Sequence, residues 1–350
     1  MNKHRSNDMQ NSYSWCAAGF LVAALAGCQG DPAGDPDADL EQSVDTVESV
    51  RALVIAQASG QGVDAVPADF DGDGIADLSV KVSTGVFAGT WFIDLSRDGF
   101  GRWNIIRRGF GRLETHAVPA DYDGDGKADL AFKDDSGRWF IEFSAGGSAS
   151  FTGFGGPESH AVPADYDGDG RADLAVKNDS TGQWRINFTG GSFAIFGGFG
   201  GPEFHAVPAD YDGDGKADLA GKNDSTGDWY IDFAADGFGI PAFNPSHGGF
   251  GGSDFHATPA DHDGDGKADL AGKNDNTGDW YIDFAADGFG VPAFNPSHGG
   301  WNGANLLPVP ADYDGDGTAD LAIYKVDNGS WQIDFAADGF NGVNAIITPR

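Results

Sequence analysis

The sequence is poor in cysteine, in positive charge and in long apolar runs. Only Cys16 and Cys28 occur among 350 residues, so a disulfide framework is excluded. Lys and Arg number 21 against 54 Asp and Glu, a formal net charge of −33. Phosphate contacts need clustered Lys and Arg, so this balance argues against a nucleic-acid partner. The apolar run "FLVAALAGC" (20–28) is too short to span a bilayer as a stable helix. Nothing past residue 50 sustains a helical period, which leaves strands as the regular element. The signatures G-x-S-x-G and H-E-x-x-H and a phosphate-binding glycine loop are also absent. Against these shortages stand 55 Gly, an excess of Asp and 12% aromatics. The aromatics argue for a buried core rather than a disordered chain. So large an acid surplus calls for a partner, and a bound cation is the simplest.

The first residues read as a targeting segment. "MNKHR" is basic, the apolar run follows, and Leu25-Ala26-Gly27-Cys28 resembles a bacterial lipobox. That resemblance implies a signal peptide over 1–27, cleavage before Cys28 and a lipid on Cys28, with Cys16 lost in processing. Gln29, not Asp, follows the cysteine, which by the enteric sorting rule implies the outer membrane or cell surface. Residues 28–49 carry seven acids and no base. They read as a flexible, self-repelling tether with an r.m.s. span of roughly 25 Å.

From residue 50 to 350 the chain is one array. An acidic string recurs six times, opening at Asp69, Asp121, Asp165, Asp210, Asp261 and Asp312, with steps of 44 to 52 residues. A period in this range signals a propeller or a solenoid. Each unit has a short run such as "HAVPA" (116–120), the acidic loop, a second run such as "ADLAVK" (172–177) and a polar turn. A third run such as "WYIDF" (229–233) and a Gly-rich apolar stretch complete it. Runs of this length, alternating in polarity and bounded by turn residues, are strands. The expected fold is therefore all-β: a propeller of about six four-stranded blades, with seven as the alternative. Trp91, Trp139, Trp184, Trp229, Trp280 and Trp331 open the third run, each with Ile two residues on. Alternate residues share a face, so each pair is expected to pack between blades. "VRALVIAQ" (50–57) reads as a strand that completes the blade ending near "NAIITP" (344–349).

The loop reads D-x-D-G-D-G-x-A-D. Its acids are Asp69, Asp71, Asp73 and Asp77 in the first copy, then Asp121, Asp123, Asp125 and Asp129, and Asp165, Asp167, Asp169 and Asp173. The later copies carry Asp210, Asp212, Asp214 and Asp218; Asp261, Asp263, Asp265 and Asp269; and Asp312, Asp314, Asp316 and Asp320. Ca²⁺ takes six to eight oxygens at about 2.3–2.6 Å, and alternating acids in a tight loop aim carboxylates at one point. A backbone carbonyl at the seventh position, Ile75 in the first copy, would add another oxygen. An Asp-rich turn that caps its own backbone accounts for one acid per turn, not four. An EF-hand needs an acid at the twelfth loop position, where this chain has Val80, Phe132, Val176, Gly221, Gly272 and Ile323. The ninth position is always Asp, so the closing ligand is expected from a strand. Six Ca²⁺ would offset twelve of the negative charges.

On these residues the array resembles the FG-GAP/VCBS repeat family, the calcium-loop propellers related to the integrin α-chain head. "GFGGPEFHAVPADYDGDGKADLAG" (198–221) carries the FG half, while "AVKND" (175–179) stands where Gly-Ala-Pro would be. The resemblance implies one Ca²⁺ in each of about six loops.

His116, His160, His205 and His256 recur five residues before a loop, with Asp64 and Leu307 in the other units. They are expected to be hydrogen-bonded structural residues; a ring facing a central channel is the alternative. Lys81, Lys133, Lys177, Lys222 and Lys273 are expected as counter-charges or solvated strand residues. The units at 210–250 and 261–301 differ at four of 41 positions: Tyr211/His262, Ser225/Asn276, Ile240/Val291 and Phe250/Trp301. A copied blade suits a multivalent binder better than an enzyme with one asymmetric site. The functional expectation is thus a lipid-anchored, calcium-stabilised surface module that binds a protein or glycan. Alternatives are a lectin using "NPSHGGF" (244–250) and "NPSHGGW" (295–301) as aromatic pockets, and an enzyme acting on polysaccharide.

Overall fold

The computed structural model describes residues 62–112, 115–197, 201–238, 244–247, 252–289, 295–298, 300–301, 303 and 305–350. Cys16, Cys28, the tether and "VRALVIAQ" lie outside the described residues, as do the Phe and most glycines of the two NPSHGG stretches.

Six four-stranded antiparallel sheets form, each from four consecutive strands in sequence order. Blade 1 comprises β1 (Val63–Ala65), β2 (Leu78–Val82), β3 (Thr90–Asp94) and β4 (Ile105–Arg107). Blades 2 to 6 open with Thr115–Ala117, Ser159–Ala161, Phe204–Ala206, Phe255–Ala257 and Leu306–Pro308. The fold is an all-β propeller of six blades. Among the described residues the only helical pieces are single 3-10 turns such as Ser96–Asp98, and none is long and apolar enough to cross a membrane. First strands lie inside: those of blades 5, 6 and 1 meet around one cleft through His256, Leu306, Leu307 and Val63. Fourth strands lie outside, where Phe193, Ile195 and Ile346 are exposed.

Period-two patterning places the core between blades. All six tryptophans are fully buried. Trp139 and Ile141 pack on Leu174 and Val176 of blade 3, and Trp184 and Ile186 on Ala217 and Leu219 of blade 4. Trp331 and Ile333 of blade 6 pack on Leu78 and Val80 of blade 1, which closes the circle. Burial of each large side chain contributes roughly 1.5–3 kcal/mol.

The strand registers align three residue types across each blade. Lys177 pairs with His160 on one side and Trp184 on the other. Lys222 likewise lies between His205 and Trp229. Cross-strand partners share a face, so His, Lys and Trp all look toward the next blade.

Two expectations are corrected here. No blade lacks a strand: "NAIITP" itself supplies the fourth strand of blade 6, Ala345–Ile347, paired with Ser330–Asp334. Closure needs no strand from residues 50–57. The ring closes through Trp331 and through the chain end, where the Trp103 amide donates to the Arg350 carbonyl (3.2 Å) and the Arg350 amide to Gly101 (3.0 Å). The recurrent lysines are not solvated. Lys81, Lys133, Lys177, Lys222 and Lys273 are buried, because their register points them into the seam rather than out of it. The Lys81 ammonium donates to the Thr115 carbonyl of blade 2 (2.7 Å), and that of Lys177 to Phe204 of blade 4 (2.5 Å). The counter-charge expectation does hold: Lys177, Lys222 and Lys273 pair with Asp179, Asp224 and Asp275.

Candidate metal centre

Each acidic loop joins the first strand of its blade to the second. The residue before the loop bridges to the ninth-position Asp, Ala68 to Asp77 in blade 1, and the same bridge recurs in all six blades. Between these anchors the chain reverses through Gly72 and Gly74, at φ +79° and +88°. Side chains with a β-carbon are strained there, which fixes the D-G-D-G core.

The four acids of a loop do different work. The first caps the turn: Asp69 Oδ1 accepts from the Gly72 amide (2.6 Å) and Oδ2 from the Gly74 amide (2.8 Å). Asp121, Asp165, Asp210, Asp261 and Asp312 repeat this pair of bonds. The fifth-position acid accepts from the amide two residues on, as Asp73 does from Ile75 (2.9 Å). In blades 1 to 3 it also accepts a hydrogen bond from a hydroxyl beyond the third strand: Ser96 donates to Asp73, Ser144 to Asp125 and Thr189 to Asp169. Blades 4 to 6 have Ala234, Ala285 and Ala336 at that place, and in blade 6 the Thr318 hydroxyl of the loop itself donates to Asp316. The ninth-position acid is a pin. Asp77 Oδ2 accepts from the Phe70 amide (2.7 Å) and Oδ1 from the Ser96 amide (2.7 Å). The same pair holds Asp129, Asp173, Asp218, Asp269 and Asp320.

The third-position acid is different, because it has almost nothing to hold. Asp71 has a side chain only 8% exposed, with the Arg97 guanidinium 3.4 Å from Oδ2 and neither oxygen accepting a hydrogen bond. Asp123, Asp167, Asp212, Asp263 and Asp314 each accept a single long bond of 3.1–3.2 Å. Burial and neighbouring carboxylates raise the pKa of Asp71, Asp167 and Asp263. Burial also pushes the ninth-position acids up: to about 6 at Asp77 and Asp173, and to about 7 at Asp218, Asp269 and Asp320.

Carboxylate oxygens of Asp69, Asp71 and Asp77 lie within 4.8 Å of one another, as do those of Asp121, Asp123 and Asp129, and of the equivalent residues in loops 3 and 4. In loop 5 the trio is Asp261, Asp263 and Asp265. The structure thus brings together the first, third and ninth acids in loops 1 to 4, and turns the fifth aside onto the backbone. In loop 5 the fifth-position acid joins the group, in a blade with no tethering hydroxyl. The turn-capping alternative explains more than one acid, since the first, fifth and ninth all serve the backbone. It explains the third least: that acid accepts one backbone amide bond in loops 2 to 6 and none in loop 1. An all-oxygen set with one under-coordinated carboxylate, half-buried in loops 1, 2 and 4, fits a hard cation.

The loops are also joined. The eighth-position amide of each loop donates to the first-position carbonyl of the loop before: Ala128 to Asp69 (2.6 Å), Ala172 to Asp121 (2.7 Å) and Ala217 to Asp165 (2.7 Å). Ala268 donates to Asp210 (2.7 Å) and Ala319 to Asp261 (2.6 Å), and Ala76 closes the circle on Asp312 (2.7 Å). A second acid pattern, D-x-x-x-D-G-F, went unnoticed in the sequence although it recurs in blades 1, 4, 5 and 6. In blade 1 buried Asp94 accepts the Gly101 and Arg102 amides, and Asp98 accepts from Asn104. This holds the 3-10 turn whose Ser96 contacts the acidic loop at Asp73. Its signal was the fixed distance from Trp91 and its equivalents.

On the opposite face the recurrent histidines are exposed by 59–64%, each against a carboxylate. His160, His205 and His256 use Nδ1, on Asp179 (2.7 Å), Asp224 (2.5 Å) and Asp275 (2.7 Å). They are hydrogen-bonded, as expected. A cleft of about 640 Å³ lies where the histidine series is interrupted, lined by His256, Asp275, Asn305, Leu307 and Val326. Trp301 of the NPSHGGW stretch is no open platform: it is buried edge-on against Trp280.

Comparison with known proteins agrees with this architecture. Residues 121–176 and 165–221 match the FG-GAP-like repeat family. The fold is similar to a lectin of Agrocybe aegerita, described for specific recognition of non-reducing terminal N-acetylglucosamine. The TM-score is 0.53 and the identity 19%, over 81% of this chain and 79% of that one. A functionally unknown protein from Desulfotomaculum acetoxidans DSM 771 aligns at TM-score 0.46 and 14% identity, over 83% and 91%. The Dos1 propeller aligns at 0.40 and 10%, over 80% and 69%. No curated protein sequence matches.

Proposed function

We propose that this chain, an FG-GAP repeat β-propeller, is a calcium-stabilised binding module held at a bacterial membrane surface through Cys28. The third-position carboxylate carries the calcium reading: six times an acid is set among other acids with at most one hydrogen bond, and at Asp71, Asp123 and Asp212 it is half-buried as well. The first and third acids would hold the ion together with the ninth in loops 1 to 4 and with the fifth, Asp265, in loop 5. A bound cation supplies the positive charge that makes these desolvated carboxylates stable as anions. The chain itself positions the acids through the two glycines and the ninth-position pin.

Binding to the folded state adds RT ln(1 + [Ca²⁺]/Kd) per site, about 2.7 kcal/mol at a hundredfold excess. Calorimetry and ion counting on the purified protein test this. Chelation should lower Tm sharply, Ca²⁺ should restore it, and Mg²⁺ should do so poorly because it keeps its water and prefers octahedral geometry. An unchanged melting curve after verified metal removal would sink the calcium reading. The anchor rests on the lipobox alone; Cys28→Ser should abolish lipid labelling and release the protein from membranes.

A glycan is the second reading of the ligand. It is favoured by the cleft at His256, where polar His256, Asp275 and Asn305 face apolar Leu307 and Val326, the mixed lining a sugar ring needs. The fold likeness to a lectin adds only that the scaffold is compatible with such a role. A glycan-array screen with and without His256→Ala separates a sugar ligand from a protein ligand.

A further inference from the structure

We propose that the six loops are not equivalent, and that the loops of blades 5 and 6 bind the first two cations while loops 1 to 4 fill at higher concentration. The proposal rests on the calcium reading above and deepens it.

The ring of amide bonds sets a strict register between neighbouring loops. That register lays the seventh-position side chain of one loop over the fourth-position glycine of the loop before. The side chain of Lys127 crosses Gly72, with Cγ 3.0 Å from where a β-carbon would stand. Arg171 crosses Gly124 at 3.0 Å, Lys216 crosses Gly168 at 3.1 Å and Lys267 crosses Gly213 at 3.1 Å. At the last two junctions the covering side chain is neutral: Thr318 over Gly264 (2.8 Å) and Ile75 over Gly315 (2.9 Å). Loops 1 to 4 therefore each lie under a cationic side chain, and loops 5 and 6 do not. The charge reaches the acids, since the Lys216 ammonium acts on Asp167 and that of Lys267 on Asp212. No such base acts on Asp263 or Asp314. Loop 1 carries a second cation in Arg97, 3.4 Å from Asp71.

A unit charge roughly 7 Å from a divalent ion would repel it through a water-like medium. Coulomb's law puts the effect at about 3- to 10-fold in Kd at low salt, and at about 2-fold at physiological ionic strength. Loop 5 also lacks a hydroxyl that holds the fifth-position acid away, as Ala285 stands there; in loop 6, where Ala336 stands, the Thr318 hydroxyl donates to Asp316 instead. Loop 4, with Ala234 but covered by Lys267, separates the two effects.

The test is a calcium titration of the full folded chain by calorimetry at low and at moderate salt. The expected isotherm has two tighter sites and four weaker ones, and salt narrows the gap. Thr318→Lys should move one tight site into the weak class, and Ile75→Lys should move the other. Lys216→Thr should do the reverse and create a third tight site, which tests the idea even where an added lysine impairs folding. Thr318→Gln should leave the tight class intact. Six equal sites in the parent chain, or a tight class unmoved by both lysine substitutions, would overturn the proposal while leaving the calcium reading in place. Absence of any bound calcium would overturn both.

Discussion

His262 stands where blades 2, 3, 4 and 6 carry tyrosine. In those blades the phenol donates to the carbonyl four residues back, as Tyr211 does to Val207 (2.7 Å) and Tyr313 to Val309 (2.6 Å). His262 instead contacts the Ala319 carbonyl of the next blade through Nδ1 (2.8 Å). Its Nε2 and the Thr258 hydroxyl are buried without hydrogen bonds. Burial pushes the imidazole pKa down to about 4, so it stays neutral. An unsatisfied buried polar group costs about 1–3 kcal/mol. Restoring the other blades' pattern with Thr258→Val and His262→Tyr should therefore raise the denaturant midpoint, by about 1–3 kcal/mol in stability at unchanged slope. A lower midpoint would show that the Ala319 contact outweighs both orphaned groups.

At the scale of elements, each seam between blades combines an apolar and a polar fastening. Trp184 is fully buried against blade 4, and Trp184→Ala should cost about 3–5 kcal/mol in chemical denaturation. The polar fastening is the row His205–Lys222–Asp224. The buried Lys222 ammonium is held by Asp224 (2.9 Å) and by the Gly252 and Phe255 carbonyls (3.2 and 3.3 Å). Removing one partner of a buried pair leaves a desolvated charge, so Asp224→Ala should destabilise by about 3 kcal/mol or more. Lys222→Met with Asp224→Ala should recover much of that loss, because two charges no longer need a dry seam. A double-mutant cycle measures the coupling, and additive losses would refute it.

For the whole molecule, the proposed calcium sites would make pH and calcium opposing controls. Asp77, Asp94 and Asp173 have pKa values near 6, and Asp218, Asp269 and Asp320 near 7, all raised chiefly by burial. The unfolded chain titrates its aspartates near 3.9. Between about pH 4 and pH 7 the folded state thus binds more protons than the unfolded one, so stability falls as pH rises. The calcium-free protein should melt at a higher temperature near pH 5 than near pH 8, and Ca²⁺ should reverse that order. A calcium-free Tm that rises from about pH 5 to about pH 8 would contradict the burial of these acids. The same closed ring makes the chain end structural. Deleting 348–350 removes both backbone bonds between Arg350 and blade 1 and should lower stability by about 1–3 kcal/mol.

The repeat, the strands, the blade number and the acids of the loop were all legible in the sequence, because period-two patterning and turn residues act over a few neighbours. The inward aim of the six tryptophans followed from that same alternation. The sequence could not show which way Lys177 points, since a lysine on a strand reads as solvated until the next blade covers it. Nor could it show that three acids of each loop also serve the backbone, or that Ala76 closes a ring on Asp312. The need for "VRALVIAQ" to complete blade 6 fell away for a related reason: Ala345–Ile347 already fills that place, and whether a blade is complete depends on where the ring closes. Local chemistry fixed what each unit is made of. Contacts between residues far apart in the chain, such as Trp331 with Val80 and Arg350 with Gly101, exist only once the circle forms, so the tertiary structure alone decided how the units are joined.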